Sequence, residues 1–217
     1  MSASTDDIIA DPENEPLINS DTEDEDRMME YFQMRKSYEE SARRIIDLEK
    51  QSVILLSECL ENLGDAYSVC GFSGYGRDQV DYYRFKGFDD PLDQLAKCRI
   101  GGMKPCRSTR MGAPIRHATQ QLLETESRIK ALIMISDGYP QDHDYGADRN
   151  SREYGLMDTM KALTEARQQG VMTYCLTVDP SGHDYLREMC PEGQYMVIQD
   201  IEQLPEELSR VYRSLTG

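Results

Sequence analysis

The run Ile129-Lys130-Ala131-Leu132-Ile133-Met134-Ile135 constrains the fold most: it is apolar at nearly every position and stops at Ser136-Asp137-Gly138-Tyr139-Pro140. It is too short for a typical helix, and apolar side chains at odd and even positions alike mean that both faces of a strand are covered. Val171 to Val178 repeats the pattern and ends at Asp179-Pro180. Strands buried on both faces belong to parallel sheets wrapped by helices.

The remaining periodicities supply those helices. Ile45, Leu48, Leu56, Cys59, Leu60 and Leu63 share a helical face before Gly64, and Met111, Ile115, Ala118 and Leu122 mark a second helix beyond a polar stretch containing Gly101, Gly102 and Pro105. Leu156, Met160 and Leu163 mark a third that Gly170 can close; a short helix near Tyr185–Met189, a weak strand at Tyr195–Ile198 and a last helix through Leu208, Val211, Tyr212 and Leu215 follow. Ala66–Phe72 and Val80–Lys86, joined by the turn-rich residues 73–79, predict a β-hairpin. Together these elements predict an α/β fold: a doubly wound, mostly parallel sheet with helices on both faces.

Ligands of such sheets bind at the carboxyl ends of the strands. Asp137 and Asp179 fall at that edge. Asp137 also fits a turn-forming role beside Gly138 and Pro140. Thr109 stands at the mouth of the second helix, either as its N-cap or as an oxygen ligand. Ser2 and Ser4, two apart, can turn both hydroxyls to one side of an extended loop. Hydroxyls plus a carboxylate make a hard, all-oxygen donor set suited to magnesium. His117, His143 and His183 raise zinc as an alternative, but their separation matches no recognised ligand spacing. Asp137, Asp142, Asp144 and His143 raise a metal-dependent hydrolase, although no phosphate-cradling loop, G-x-S-x-G or H-E-x-x-H accompanies them. Arg110 and Arg116 read either as residues that orient the threonine loop or meet acidic partner groups, or as purely structural ones.

Charge narrows the choice of partner. The net charge of -16 disfavours nucleic acid and anionic membrane surfaces, which need clustered Lys and Arg. Residues 1–30 hold eleven acidic residues against Arg27 alone, with Pro12 and Pro16. Residues 6–40 are therefore expected to form a disordered acidic insertion after a short loop remnant, 1–5, and before a domain body, 41–217. The six cysteines form no C-x-x-C pair and read as reduced thiols of a cytoplasmic protein. No apolar stretch approaches the ~20 residues of a membrane helix, so no membrane insertion is expected.

Met1-Ser2-Ala3-Ser4, Thr109 and Ile135-Ser136-Asp137-Gly138 occur in the order and context of a von Willebrand factor A domain with its metal-ion-dependent adhesion site. That motif opens D-x-S-x-S, of which this chain carries x-S-x-S. Residues 108–118 and 137–146, with Asp158-Thr159, Thr177-Val178-Asp179 and His183-Asp184-Tyr185-Leu186, resemble the NorD/CbbO group, activation proteins of nitric oxide reductase and Rubisco. The resemblance implies a non-catalytic adaptor working with a MoxR-type AAA+ ATPase. It also implies Mg2+ held by Ser2, Ser4, Thr109 and Asp137 and open to an acidic side chain of a protein partner. The family's first central strand and its aspartate do not occur in this sequence, so the protein is expected either to start further upstream or to be a separated C-terminal piece, with the site incomplete in this chain. A metal-chelatase subunit is the other assembly that this domain type suggests.

Overall fold

The computed structural model describes residues 22–136, 138–145, 153–177, 182–191, 193–198 and 201–216. Three strands, β3 (Lys130–Ser136), β4 (Val171–Thr177) and β5 (Tyr195–Val197), form a parallel sheet in the order β3-β4-β5. Lys130 aligns with Val171 and Ser136 with Thr177, so both long strands end at one edge. Helix α4 (Glu153–Gln168) links β3 to β4, and α5 (Gly182–Met189) stands between β4 and β5.

Alternation along the strands divides the core into two layers. Met134 and Cys175 face one layer with Met111, Ile115, Leu156, Leu163, Tyr185, Leu186 and Met189, from α3 (Gly112–Leu123), α4 and α5. Tyr174 and Leu176 face the other with Leu204, Leu208 and Val211 of α6 (Leu204–Thr216), joined by Leu56 of α1 (Thr22–Leu63), Ile133 and Ile135. The two-faced strands thus carry helices on both faces, as their composition requires.

A separate antiparallel hairpin pairs β1 (Val69–Gly74) with β2 (Val80–Lys86). Phe72 of β1 and Leu132 of β3 pack against the same core layer.

Two expectations change. Residues 22–40, expected within a disordered insertion, are helical, because α1 is one helix of 42 residues. Acidic residues at positions 23–26 fall in its first turn, where the helix dipole favours negative charge, and no proline follows Pro16 before the helix ends. The polar stretch before the second predicted helix holds a further helix, α2 (Gln94–Gly101), capped by the Asp93 side chain on the Ala96 N–H and burying Ala96 and Ile100. Residues 1–21 lie outside the described residues.

Candidate functional site

The carboxyl ends of β1 and β3 meet around Thr109. Gly74 and Ser108 exchange both backbone hydrogen bonds, N–H to O=C at 2.7 and 3.0 Å, and the Thr109 N–H donates to the Gln141 carbonyl at 2.9 Å. Thr109 is 1% exposed. It is not the N-cap of the helix that follows: α3 begins at Gly112, its cap position is Met111, and no side chain caps it. Of the four expected magnesium ligands, Thr109 alone falls among the described residues; Ser2, Ser4 and Asp137 lie outside them, as does Asp179. Ser136, directly before Asp137, is buried, and its Oγ donates to the Gly138 carbonyl at 2.9 Å.

Arg110 extends this junction. Its Nε donates to Asp142 Oδ2 at 2.9 Å, its Nη2 donates to Asp144 Oδ1, and its guanidinium lies 4.2 Å from the Tyr145 ring centroid. The Asp142 side chain has no exposed surface, and it also accepts the Gly76 N–H on both oxygens, at 3.1 and 3.0 Å, and the His143 N–H at 2.8 Å. Asp144 accepts the Arg77 N–H at 2.8 Å. Gly76 adopts φ +72°, a conformation that glycine supplies without cost, and its open Cα face lies against the His143 ring. The hairpin tip, the threonine loop and the loop after β3 are therefore tied by one set of carboxylates.

Electrostatics follow the geometry. Burial alone would raise the Asp142 carboxyl, but hydrogen bonds from Arg110 and from the Gly76 and His143 N–H groups hold it below the usual carboxylate range. The Arg77 N–H and the Arg110 charge do the same for Asp144, with burial opposing them. Both side chains are thus ionised acceptors at neutral pH.

A second brace lies behind the first. The Tyr145 hydroxyl donates to Asp158 Oδ2 at 2.7 Å, and Arg116 bonds Asp158 Oδ1 at 2.8 Å and Glu165 Oε2 at 2.7 Å, joining α3 to α4. Gly112, the first residue of α3, lies so close to Asp158 that a Cβ would overlap the carboxylate. Burial, followed by the hydrogen bond to Asp158, raises the Tyr145 phenol, which stays protonated as a donor.

These contacts bear on the zinc and hydrolase readings drawn from sequence. Asp142, His143 and Asp144 do converge, with potential ligand atoms within 4.8 Å of one another. Their carboxylates are already engaged by a guanidinium and by backbone N–H groups, an arrangement for holding loops. The three histidines do not form a zinc set: His117 packs on Tyr82, His143 on Tyr75 and His183 on Tyr195, each on a different element. Arg110 does orient the threonine loop, whereas Arg116 braces the helices. Sequence reasoning grouped Asp142 and Asp144 with His143 but left Arg110 apart and missed their union. The available signal was three charged residues flanking the two loops that meet at the sheet edge.

Residues 39–210 match the von Willebrand factor type A domain family. The chain belongs to that family, and within it is similar to NorD proteins. It is 37% identical over 164 residues to Protein NorD of Stutzerimonas stutzeri, covering 76% of this chain and 26% of that protein. Protein NorD of Brucella melitensis is 34% identical over 175 residues, 81% of this chain and 27% of its own length. An uncharacterized protein of Pseudomonas aeruginosa is 36% identical over 180 residues, 83% and 29% respectively. This von Willebrand factor type A chain thus spans between about a quarter and three tenths of the length of these relatives. Among its described residues, no helix is long and apolar enough to cross a membrane.

Proposed function

We propose that the chain is a non-catalytic, cytoplasmic adaptor that grips an acidic side chain of a protein partner through a magnesium site at the carboxyl edge of its sheet. Ser2, Ser4, Thr109 and Asp137 would hold the ion through hydroxyl and carboxylate oxygens, a donor set that fits a hard divalent cation. With the ion bound, an open coordination position would accept the partner's carboxylate. The similarity to NorD proteins supports a role beside a MoxR-type AAA+ ATPase in activating or assembling a metalloenzyme of the nitric oxide reductase or Rubisco kind.

The observation that carries this reading is the placement of Thr109. It is buried, and its N–H is fixed to the loop that starts directly after β3. A ligand hydroxyl needs a rigid backbone, because an ion tolerates little misplacement of its donors. The residues of this chain hold and orient. Arg110 and Asp142 keep the two loops together, and Tyr145 and Asp158 anchor them to α3 and α4. Engagement of the Asp142 and Asp144 carboxylates argues against the hydrolase alternative, since neither carboxylate stands ready to activate water.

The test is binding of the purified MoxR-type ATPase from the same organism, followed by biolayer interferometry with and without Mg2+. Binding that is lost in chelator and in both Asp137→Ala and Thr109→Ala is expected. Equal binding under all four conditions contradicts the proposal.

A further inference from the structure

We infer that Asp142 is the positioning residue of this edge, a carboxylate that locks the β1–β2 hairpin tip and the loop after β3 around Thr109 so that its hydroxyl is presented in one place. The inference rests on the metal reading above and adds to it a residue outside the proposed ligand set. Three observations carry it.

First, Asp142 has no exposed side-chain surface and receives donors from three separate segments: Gly76 in the hairpin tip, Arg110 beside Thr109, and His143 in its own loop. A carboxylate has about four lone-pair sites, and here they are spent on fastening rather than on solvent. Second, Thr109 is held on both sides by the segments that Asp142 ties together. Ser108 pairs with Gly74, two residues before Gly76, and the Thr109 N–H bonds Gln141, the residue before Asp142. Third, Arg110 is only 11% exposed on its side chain. Losing Asp142 would leave this nearly buried guanidinium with Asp144 as its remaining carboxylate and its Nε in need of a new acceptor, and Arg110 is covalently next to Thr109. The hairpin tip therefore belongs mechanically to the site, although no residue of the tip is among the proposed ligands.

The experiment compares the 217-residue chain with Asp142→Asn, Asp142→Glu, Arg110→Lys and, as a control at the opposite sheet edge, Arg167→Ala, whose guanidinium bonds Thr164 and Thr173. Two readouts are taken: Mg2+ affinity by calorimetry, and hydrogen exchange of the Thr109 and Gly76 amides in metal-free protein. Asp142→Asn is expected to weaken Mg2+ binding by about ten- to a hundredfold, the range seen when groups that orient metal ligands are removed. It is also expected to speed exchange at Thr109 and Gly76 before any metal is added. Asp142→Glu and Arg110→Lys, which keep the charges, recover part of both effects, and Arg167→Ala moves neither beyond its effect on global stability. Unchanged Thr109 exchange in Asp142→Asn overturns the inference, as does Mg2+ affinity equal to wild type. If wild-type protein takes up no Mg2+, the metal reading fails by itself, and Thr109 exchange alone then decides the positioning claim.

Discussion

The two edges of the sheet differ in kind. At the amino ends of β3 and β4, the chain turns with simple means. Gly170 enters β4 with φ +82°, a Cβ there would meet nothing within 4 Å, and Lys130 at the start of β3 bonds the carbonyls of Thr125 and Ser127. At the carboxyl ends, Ser136, Thr177 and Thr109 are buried, Arg110 pairs with the enclosed Asp142 side chain, and glycines are pressed against carboxylate, ring or carbonyl. Burying charge is costly unless every partner is supplied. The turns into β3 and β4 show how little is needed to reverse the chain, whereas the carboxyl edge ties its loops together through buried charge.

This contrast yields graded consequences. Asp142→Ala removes one of the two carboxylates that Arg110 binds, and the acceptor of the Gly76 and His143 N–H groups, and should cost about 3 kcal/mol by urea unfolding, the upper end for hydrogen bonds to charged groups. A loss under about 1 kcal/mol would mean that the edge does not depend on this pair. Gly112→Ala forces a methyl into the Asp158 carboxylate and should cost about 1–3 kcal/mol by overpacking. Gly76→Ala and Gly170→Ala sharpen the comparison further, since both adopt positive φ. Gly170→Ala should cost about 1–2 kcal/mol from backbone conformation alone. Gly76→Ala should cost more, because its methyl also presses on His143. Equal losses would place the two edges on the same footing.

Acid should affect the carboxyl edge selectively. The carboxyl groups of Asp142 and Asp144 are held below their ordinary value, so the stability they contribute is fully present above the unfolded-state value of about 3.9 and is lost as pH falls through their lower folded values. Wild type should therefore lose stability more steeply than Asp142→Asn below about pH 4, with their difference constant from there to neutrality. Parallel curves throughout that acid range would argue against an ionised Asp142 in the clasp.

How much of this was legible in the sequence depends on the range of the interaction. Strands β3 and β4 could be read directly, because apolar residues on both faces leave no other solution, and Gly64 and Gly170 end their helices with the positive φ that glycine permits. Helix α2 was missed because Ala96 and Ile100 are the only buried residues among its eight. The first half of α1 was missed because acidic composition outweighed helix propensity and the favourable place of negative charge in a first turn. Thr109 could be singled out from motif order, but its N-cap alternative was settled only by where α3 begins. The clasp was hidden for a different reason. Arg110 and Asp142 are 32 positions apart and Gly76 and Asp142 are 66 apart, so no local periodicity connects them. Tertiary ion pairs of this kind leave composition almost unchanged and appear only when strand order brings their loops together.

The most direct measurement is Mn2+ binding, used as a paramagnetic stand-in for Mg2+, followed by electron paramagnetic resonance in wild type, Thr109→Ala, Asp137→Ala and Gly170→Ala. Both carboxyl-edge substitutions are expected to weaken binding by at least about tenfold while Gly170→Ala binds as wild type does. Equal affinity in all four proteins, or loss confined to Gly170→Ala, would contradict this expectation.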